Sequence, residues 1–347
     1  MDAAPAGRGR RGLRWLAGLA VVAGLLAGAG YAGWRAALDL YRSAGPLAEE
    51  RAVVIPRGAG PGAIAERLRE AGVLDDLRAA AFVPAARLTE AAGPLRAGEY
   101  AFPPRVSLAG VLDILRTAPT VQRRLTVPEG LTVAQILALL ERAEGLTGTV
   151  SEVPPEGSLL PETWAYSWGD TRDSLIRRMR AAMDRALAEA WAQRAENLPL
   201  SSPREALILA SIIERETAVA EERAKVAGVF VNRLRRGMPL QSDPTVIYAV
   251  SGGLGVLDRP LTRADLDADH PHNTYRNRGL PPTPIAAPGR ASLLAAVRPA
   301  ETDALYFVAD GTGGHVFSRT LEEHNRAVAR WRAIERARRG AAEAREP

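Results

Sequence analysis

Apolar residues fall into three kinds of run along this chain, and each kind predicts a different element. The first is continuous. From Trp15 to Trp34 (WLAGLAVVAGLLAGAGYAGW) no side chain is charged. At ~1.5 Å per helical residue, such a run spans the ~30 Å hydrocarbon core of a bilayer. Trp15, Tyr31 and Trp34 mark its ends, where amphipathic rings favour the interface. Arg8, Arg10, Arg11 and Arg14 precede it and predict that residues 1–14 stay cytoplasmic, with everything after the helix extracytoplasmic. A cleaved signal peptide is the alternative, with Ala27-Gly28-Ala29 as its small residues, but the run exceeds the ~7–15 residues usual there. Residues 35–50 then read as a short helical stalk.

The second kind pairs a short strand with helical spacing. Ala52-Val53-Val54-Ile55 leads through Pro56-Arg57-Gly58 to Ile64 and Leu68, and Gly72 stops the helix. The phrase recurs at Leu125-Thr126-Val127-Pro128-Glu129-Gly130, followed by Val133, Ile136, Leu137 and Leu140. A third version runs from Tyr100-Ala101-Phe102-Pro103 through Leu108, Val111, Leu112 and Leu115. Residues 51–120 are therefore expected to form a small α+β module laid out as strand, helix, helix, strand. That layout resembles the LysM-like carbohydrate-binding fold; a plain spacer domain is the alternative.

The third kind is helical periodicity without a strand. Residues 172–193 carry Leu, Ile and Met at helical spacing and read as scaffold. The longest such stretch opens at Ser202-Pro203, where serine caps and proline suits the first turn, and ends at Gly237. It is either one helix or two with a break at Thr217-Ala218-Val219-Ala220. From Trp331 the chain is charged and alanine-rich, so residues 331–347 are expected to be a frayed tail.

Composition narrows the chemistry. The 347 residues are 47% hydrophobic and 24% charged, as in ordinary globular protein, and they include no cysteine. Disulfides, cysteine-bound zinc, iron–sulfur clusters and thiol nucleophiles are thereby excluded. The net charge is +5, of which residues 1–14 supply +3; the remainder is nearly balanced and no nucleic-acid partner is expected.

Candidate chemistry concentrates at the end of the apolar stretch Leu207–Ile213. Glu221 and Glu222 sit beside Arg223 and Lys225 and read as solvated helix surface. Glu214 and Glu216 differ, pointing about 160° apart on a helix. Counting back from Glu216 meets Ile213, Leu209 and Ala206, a continuous apolar stripe; counting back from Glu214 meets Ser211, Ala210 and Leu207, a mixed face expected nearer the surface. A carboxyl against apolar walls keeps its proton to higher pH, as a general acid requires. Glu216 is thus the candidate catalytic residue and Glu214 the second candidate acid, with a structural carboxylate as the alternative reading. Asn232 lies mid-helix, where asparagine is unfavourable, so either a buried hydrogen bond or a substrate contact is expected, the contact being slightly favoured. His270 and His272 flank a proline in a loop, a poor arrangement for a metal, so no metal or other cofactor is expected. His315 and His324 read as structural or cleft-edge residues.

Residues 210–249 (ASIIERETAVAEERAKVAGVFVNRLRRGMPLQSDPTVIYA) resemble the signature of the MltG, or YceG-like, endolytic murein transglycosylase family. The likeness continues through His272-Asn273-Thr274-Tyr275, Gly279–Ile285 and Leu305–His315, and takes in the membrane segment and the VPEGLT element. It implies an α+β fold in which residues 121–330 form a lytic-transglycosylase-like catalytic domain. It implies cleavage of the MurNAc-β-1,4-GlcNAc bond of peptidoglycan to leave 1,6-anhydroMurNAc ends. It also implies that the working glutamate precedes serine or threonine, which Glu216-Thr217 satisfies and Glu214-Arg215 does not. Carried over by the same resemblance, Glu162, Tyr166, Asn232, Gln241, Ser242, Asp243, Thr245, Asn273 and Tyr275 are expected to bind substrate. Peptidoglycan strands and the synthases that make them are the implied partners, at the inner (plasma) membrane. The competing readings are a non-catalytic wall-binding or synthase-tethering protein and a metal-dependent amidase using His270 and His272.

Overall fold

The computed structural model describes residues 9–343; the cytoplasmic-tail expectation for residues 1–8 and the last four residues of the expected tail lie outside them. The fold is mixed, with many helices and three two-stranded antiparallel or short ribbons in place of a large sheet. The chain divides into two compact units, one reaching Gln122 and including Ser167–Gly169, the other comprising Arg123–Tyr166 and everything from Asp170.

The first unit opens with helix α1, Gly9–Arg42. Its stretch Gly18–Arg42 is long and apolar enough to cross a membrane, and none of that stretch's most apolar window is buried by protein. The helix does not stop at Trp34: it runs on to Arg42 through the first half of the expected stalk and ends shortly before Gly45-Pro46. Strand β1 (Arg51–Ile55) is followed by α2 (Pro61–Glu70), α3 (Asp76–Leu88) and β2 (Gly98–Phe102). β1 and β2 pair antiparallel, with Arg51 opposite Phe102 and Ile55 opposite Gly98. The strand, helix, helix, strand order matches the sequence pattern. Asp75 caps α3 by accepting from the Arg78 N–H at 2.8 Å, and Ser107 caps α4 (Leu108–Thr117) in the same way. Ile55, Leu68, Phe82, Tyr100, Phe102 and Leu112 fill the core between these elements.

The second unit begins with β3 (Gln122–Thr126), α5 (Val133–Arg142), β4 (Thr163–Ser167) and α6 (Arg172–Ala192). The turns after β1 and before α5 carry Gly58 at φ 79° and Gly130 at φ 77°, the left-handed region where a side chain is strained. Next come α7 (Pro203–Glu216), α8 (Arg223–Arg235), α9 (Asp243–Val250), the single turn α10 (Arg263–Leu266) and α11 (Arg290–Val297). A β5–β6 hairpin (Tyr306–Ala309 and His315–Ser318) and α12 (Leu321–Glu343) complete it. The long stretch after Ser202 is therefore two helices: α7 ends at Glu216, and Thr217 takes an extended conformation at φ −139°, ψ 132°. The expected frayed tail is helical through Glu343. The reason is packing: Trp331 and Ile334 lie against Gly311, and Arg338 donates to the Gly311 carbonyl. α7 is the central helix, with α11 and α8 packed on it around Leu209, Ile213, Phe230 and Leu293.

Candidate active site

α7 carries the candidate acid at its last residue. Ser202 caps the helix, accepting from the Glu205 N–H at 3.3 Å, and Pro203 occupies the first turn, so the register of the helix is fixed from its start. The stripe of Ala206, Leu209 and Ile213 is completely buried. Glu216 continues that stripe into a cavity. Burial pushes its carboxyl pKa up to about 7 from 4.5; the Ser242 hydrogen bond opposes the rise, the Asp243 charge adds to it and the Arg233 charge offsets part of it. The helix C-terminus, the negative end of its dipole, also opposes a further negative charge there.

Two loops hold the groups around this carboxyl. Ser242, at the start of α9, donates its hydroxyl to Glu216 Oε1. Oε2 has no hydrogen-bond partner among the described residues and is the natural seat of the proton. Ser242 is itself fixed: its N–H donates to Thr274 Oγ1 at 3.0 Å, and its carbonyl accepts from Thr245 Oγ1 at 2.7 Å. Thr245 and Thr274 hydroxyls lie 2.8 Å apart, and all three residues are buried. Gln241 sits at φ 52°, its N–H bonded to the Thr274 carbonyl at 3.1 Å. Tyr275 donates its hydroxyl to Asp243 Oδ1 at 2.6 Å, and burial, with that carboxylate, raises the phenol far above its usual pKa.

The cavity has a volume of about 590 Å³ and is lined by Glu216, Gln241, Asp243 and Tyr275, together with groups the sequence reading passed over. Chief among these is Arg233. It is buried, donating Nε to the Leu305 carbonyl at 2.6 Å and Nη1 to the Leu240 carbonyl at 2.8 Å and Gln241 Oε1 at 3.2 Å. Its guanidinium lies 5.1 Å from the Tyr306 ring centroid, and that ring stacks on His324 at 5.1 Å. The available signal was an arginine three residues after Phe230, on the apolar side of a helix. His315 also lines the cavity, its Nδ1 held by Glu222 Oε2 at 2.6 Å, so the expected cleft-edge position is where both histidines stand. Glu222 is thus a partner for His315 rather than free helix surface.

Other expected site residues are elsewhere. Glu162 pairs with Arg290 at 2.9 Å. Tyr166 is buried in a separate cluster with Leu140 and Met179, its hydroxyl donating to the Glu144 carbonyl at 2.9 Å. Asn232 Nδ2 donates to the Thr302 and Ala304 carbonyls at 2.7 and 3.2 Å, as the hydrogen-bond expectation has it. Asn273 is fully buried, its amide donating to the Leu266 and Ala268 carbonyls and its Oδ1 accepting from the Tyr275 N–H, so it braces the loop. The Glu214 side chain is only 5% exposed, contrary to the expected surface position. The Gly289 N–H donates to its Oε2 at 2.9 Å and Arg223 stands 3.6 Å from its Oε1, and these neighbours from other parts of the chain cover the mixed face. His270 accepts from the His272 N–H at 3.1 Å, and His272 Nε2 lies 2.8 Å from Thr283 Oγ1.

The YceG-like family model matches residues 53–330, and the chain belongs to that family. It is similar to an endolytic murein transglycosylase of Bacillus subtilis (strain 168), 41% identical over 174 residues covering 50% of this chain and 47% of that protein. It is also similar to an endolytic murein transglycosylase of Streptococcus pneumoniae serotype 2 (strain D39), 39% identical over 181 residues covering 50% of this chain and 32% of the relative. The matches thus span half or less of these curated relatives. A crystal structure of a yceG-like protein from Listeria monocytogenes is 30% identical, with a TM-score of 0.49 over 80% of this chain and 99% of that one.

Proposed function

We propose that the chain is a membrane-anchored lytic transglycosylase that cuts within peptidoglycan strands, with Glu216 as its catalytic residue. The observation that carries this is the Glu216 carboxyl, its pKa raised to about 7 by burial, in the wall of a cavity that also presents Arg233, Gln241, Tyr275 and Tyr306. Two relatives bear the name endolytic murein transglycosylase, which supports the same class.

Glu216 gives its proton to the glycosidic oxygen between MurNAc and GlcNAc as the bond at C1 breaks through an oxocarbenium-like state. The MurNAc C6 hydroxyl then attacks C1 and passes its proton to the carboxylate. The acid is restored and a 1,6-anhydroMurNAc end is left. Ser242, donating to Oε1, steadies the carboxylate in the interval. Because the nucleophile is tethered within the sugar, an effective molarity of roughly 10⁵–10⁸ M replaces an activated water, and a second carboxylate is unnecessary. Gln241, Asp243 and Tyr275 contact the sugar from the cavity wall, with Arg233 and Tyr306 beside them; Thr245 and Asn273 position Ser242 and Tyr275. Residues 15–34 cross the plasma membrane with the N-terminus cytoplasmic. Residues 51–120 act as a LysM-like glycan-holding module and residues 121–330 as the catalytic domain. Peptidoglycan synthases supply the nascent strands.

The test is to incubate the purified full chain with uncrosslinked glycan strands and identify the released ends by mass spectrometry, with Glu216→Gln and Glu214→Gln in parallel. Anhydro ends from the native and Glu214→Gln proteins, and none from Glu216→Gln, are expected. Ordinary reducing ends, or undiminished turnover by Glu216→Gln, reject the proposal.

A further inference from the structure

Helix α3 buries one side in the core and leaves large apolar side chains exposed on the other. Phe82 and Ala86 face inward and are buried. Leu77, Ala81, Pro84 and Leu88 fall within about 60° of one another on the other side. Leu77 is 72% and Leu88 82% exposed.

Across from Ala81, Pro84 and Leu88 lies the final part of α1, and the two helices enclose a groove of about 400 Å³. α1 presents Trp34, Ala37, Leu38 and Tyr41 to it, the i, i+3, i+4, i+7 face of the helix. Tyr41 already packs against the core of the same unit. Trp34, in contrast, ends the uncharged run whose Leu19, Leu25 and Leu26 are more than 60% exposed. From Trp34 to Tyr41 is only ~10 Å along the helix. The headgroup layer on one side of a bilayer is roughly 5–8 Å deep. The groove therefore starts at the level of the headgroups and continues the surface that α1 offers to the membrane. Its lining is mostly aliphatic and aromatic, and the Thr89 hydroxyl is already committed to the Ala85 carbonyl at 2.7 Å and to Arg116 at 3.0 Å, which suits a hydrocarbon chain.

We infer that the groove between α1 and α3 is a lipid site, occupied by an acyl chain of a phospholipid from the leaflet into which α1 emerges. The inference rests on the reading of α1 as a membrane helix. It places the Leu88 end of α3 beside Trp34 at the membrane-facing end of the groove, whereas the Leu77 end, where Arg78 donates to the Ser43 hydroxyl and the Ala44 carbonyl, lies farther from the bilayer.

The absence of cysteine makes the test direct. Leu88→Cys and Leu25→Cys variants of the full chain, each labelled with the environment-sensitive fluorophore NBD, are reconstituted into phosphatidylcholine and phosphatidylglycerol vesicles. A fraction of the lipid carries a doxyl quencher midway along the acyl chain. Leu88 is exposed, so its substitution leaves the fold intact. The label at position 88 should emit at blue-shifted wavelengths and be quenched, though less than the label at position 25, which sits at mid-bilayer depth. A water-like, unquenched label at 88 beside a quenched label at 25 overturns the lipid site and leaves the membrane helix standing. Two unquenched labels reject the membrane helix and the lipid site with it. A blue shift at 88 that ignores the quencher and grows with protein-to-lipid ratio assigns the groove to a second copy of the chain and likewise overturns the inference.

Discussion

Glu216 holds its proton because burial outweighs the help its charged form receives from Ser242 and Arg233. That imbalance has a sign in stability. An unfolded carboxyl titrates near 4.5 and the folded one at about 7, so the folded protein binds the extra proton between these values. Stability therefore falls as pH rises from 4.5 to 7, and the full cost, about 3 kcal/mol, persists above 7. Glu216→Gln should melt higher than the native protein above pH 7, with the gain disappearing below pH 4.5; equal melting at all pH values would contradict the burial argument. Ser242→Ala removes a group that lowers the Glu216 pKa. With Glu216 as the proposed acid, the alkaline limb of the pH–rate profile should then move to higher pH. A shift downward would show that Ser242 does not serve the carboxylate. At Asn232 the two carbonyls bonded to its amide make the side chain a brace between α8 and the segment before β5. Asn232→Ala should cost about 1–3 kcal/mol in denaturant unfolding. A substrate contact would instead raise KM at unchanged stability.

At the scale of elements, the site depends on α7 stopping where it does and on α8 lying close to the segment at Ala300. The stop at Thr217 follows from a β-branched residue in extended backbone, but the apolar and charged pattern through residues 217–222 suits a helix almost as well, so periodicity left the break open. α8 approaches Ala300 closely enough that its Gly228 has no room for a side chain: a Cβ there would stand 2.5 Å from the Ala300 carbonyl oxygen and 2.8 Å from Thr302 Cγ2. Gly228→Ala should improve helix propensity yet destabilise the protein by about 1–3 kcal/mol through overpacking, read as a lower Tm. A rise in Tm would show that the neighbouring backbone gives way. The strand-and-helix units at residues 52–72 and 125–140 were readable because each combines a strand, a glycine turn and i, i+4 leucines. The β5–β6 hairpin was not read as strands, since its four-residue strands carry no long alternation.

At the scale of the molecule, the most apolar window of α1 has none of its described residues buried by protein, which is what a bilayer would cover. The full chain should remain with the membrane through an alkaline carbonate wash, and a chain lacking residues 1–34 should appear in the supernatant; retention of the shortened chain would locate the attachment elsewhere. The second unit gathers its site from α7, α8, α9, the loop at Asn273–Tyr275 and the β5–β6 hairpin, spread over about a hundred residues. Residues that distant meet only through long-range packing, and no local pattern announces the meeting. Tyr166 and Glu162 show the reverse: polar and aromatic residues in a suggestive cluster that packing turned to a core and to an ion pair with Arg290.

Local periodicity was sufficient for the membrane-length helix, the strand, helix, helix, strand order, and the buried apolar stripe that leads to Glu216. These are properties of neighbours in the chain, set by 3.6-residue and two-residue repeats. Tertiary structure alone decided that Ser242 would meet Glu216, that Arg233 would lie buried over Tyr306, and that Glu214 would be covered by Arg223 and Gly289. Each of those depends on which distant backbone carbonyls, hydroxyls and charges are brought within hydrogen-bond reach, and that is set by the packing of whole helices rather than by the residues alongside.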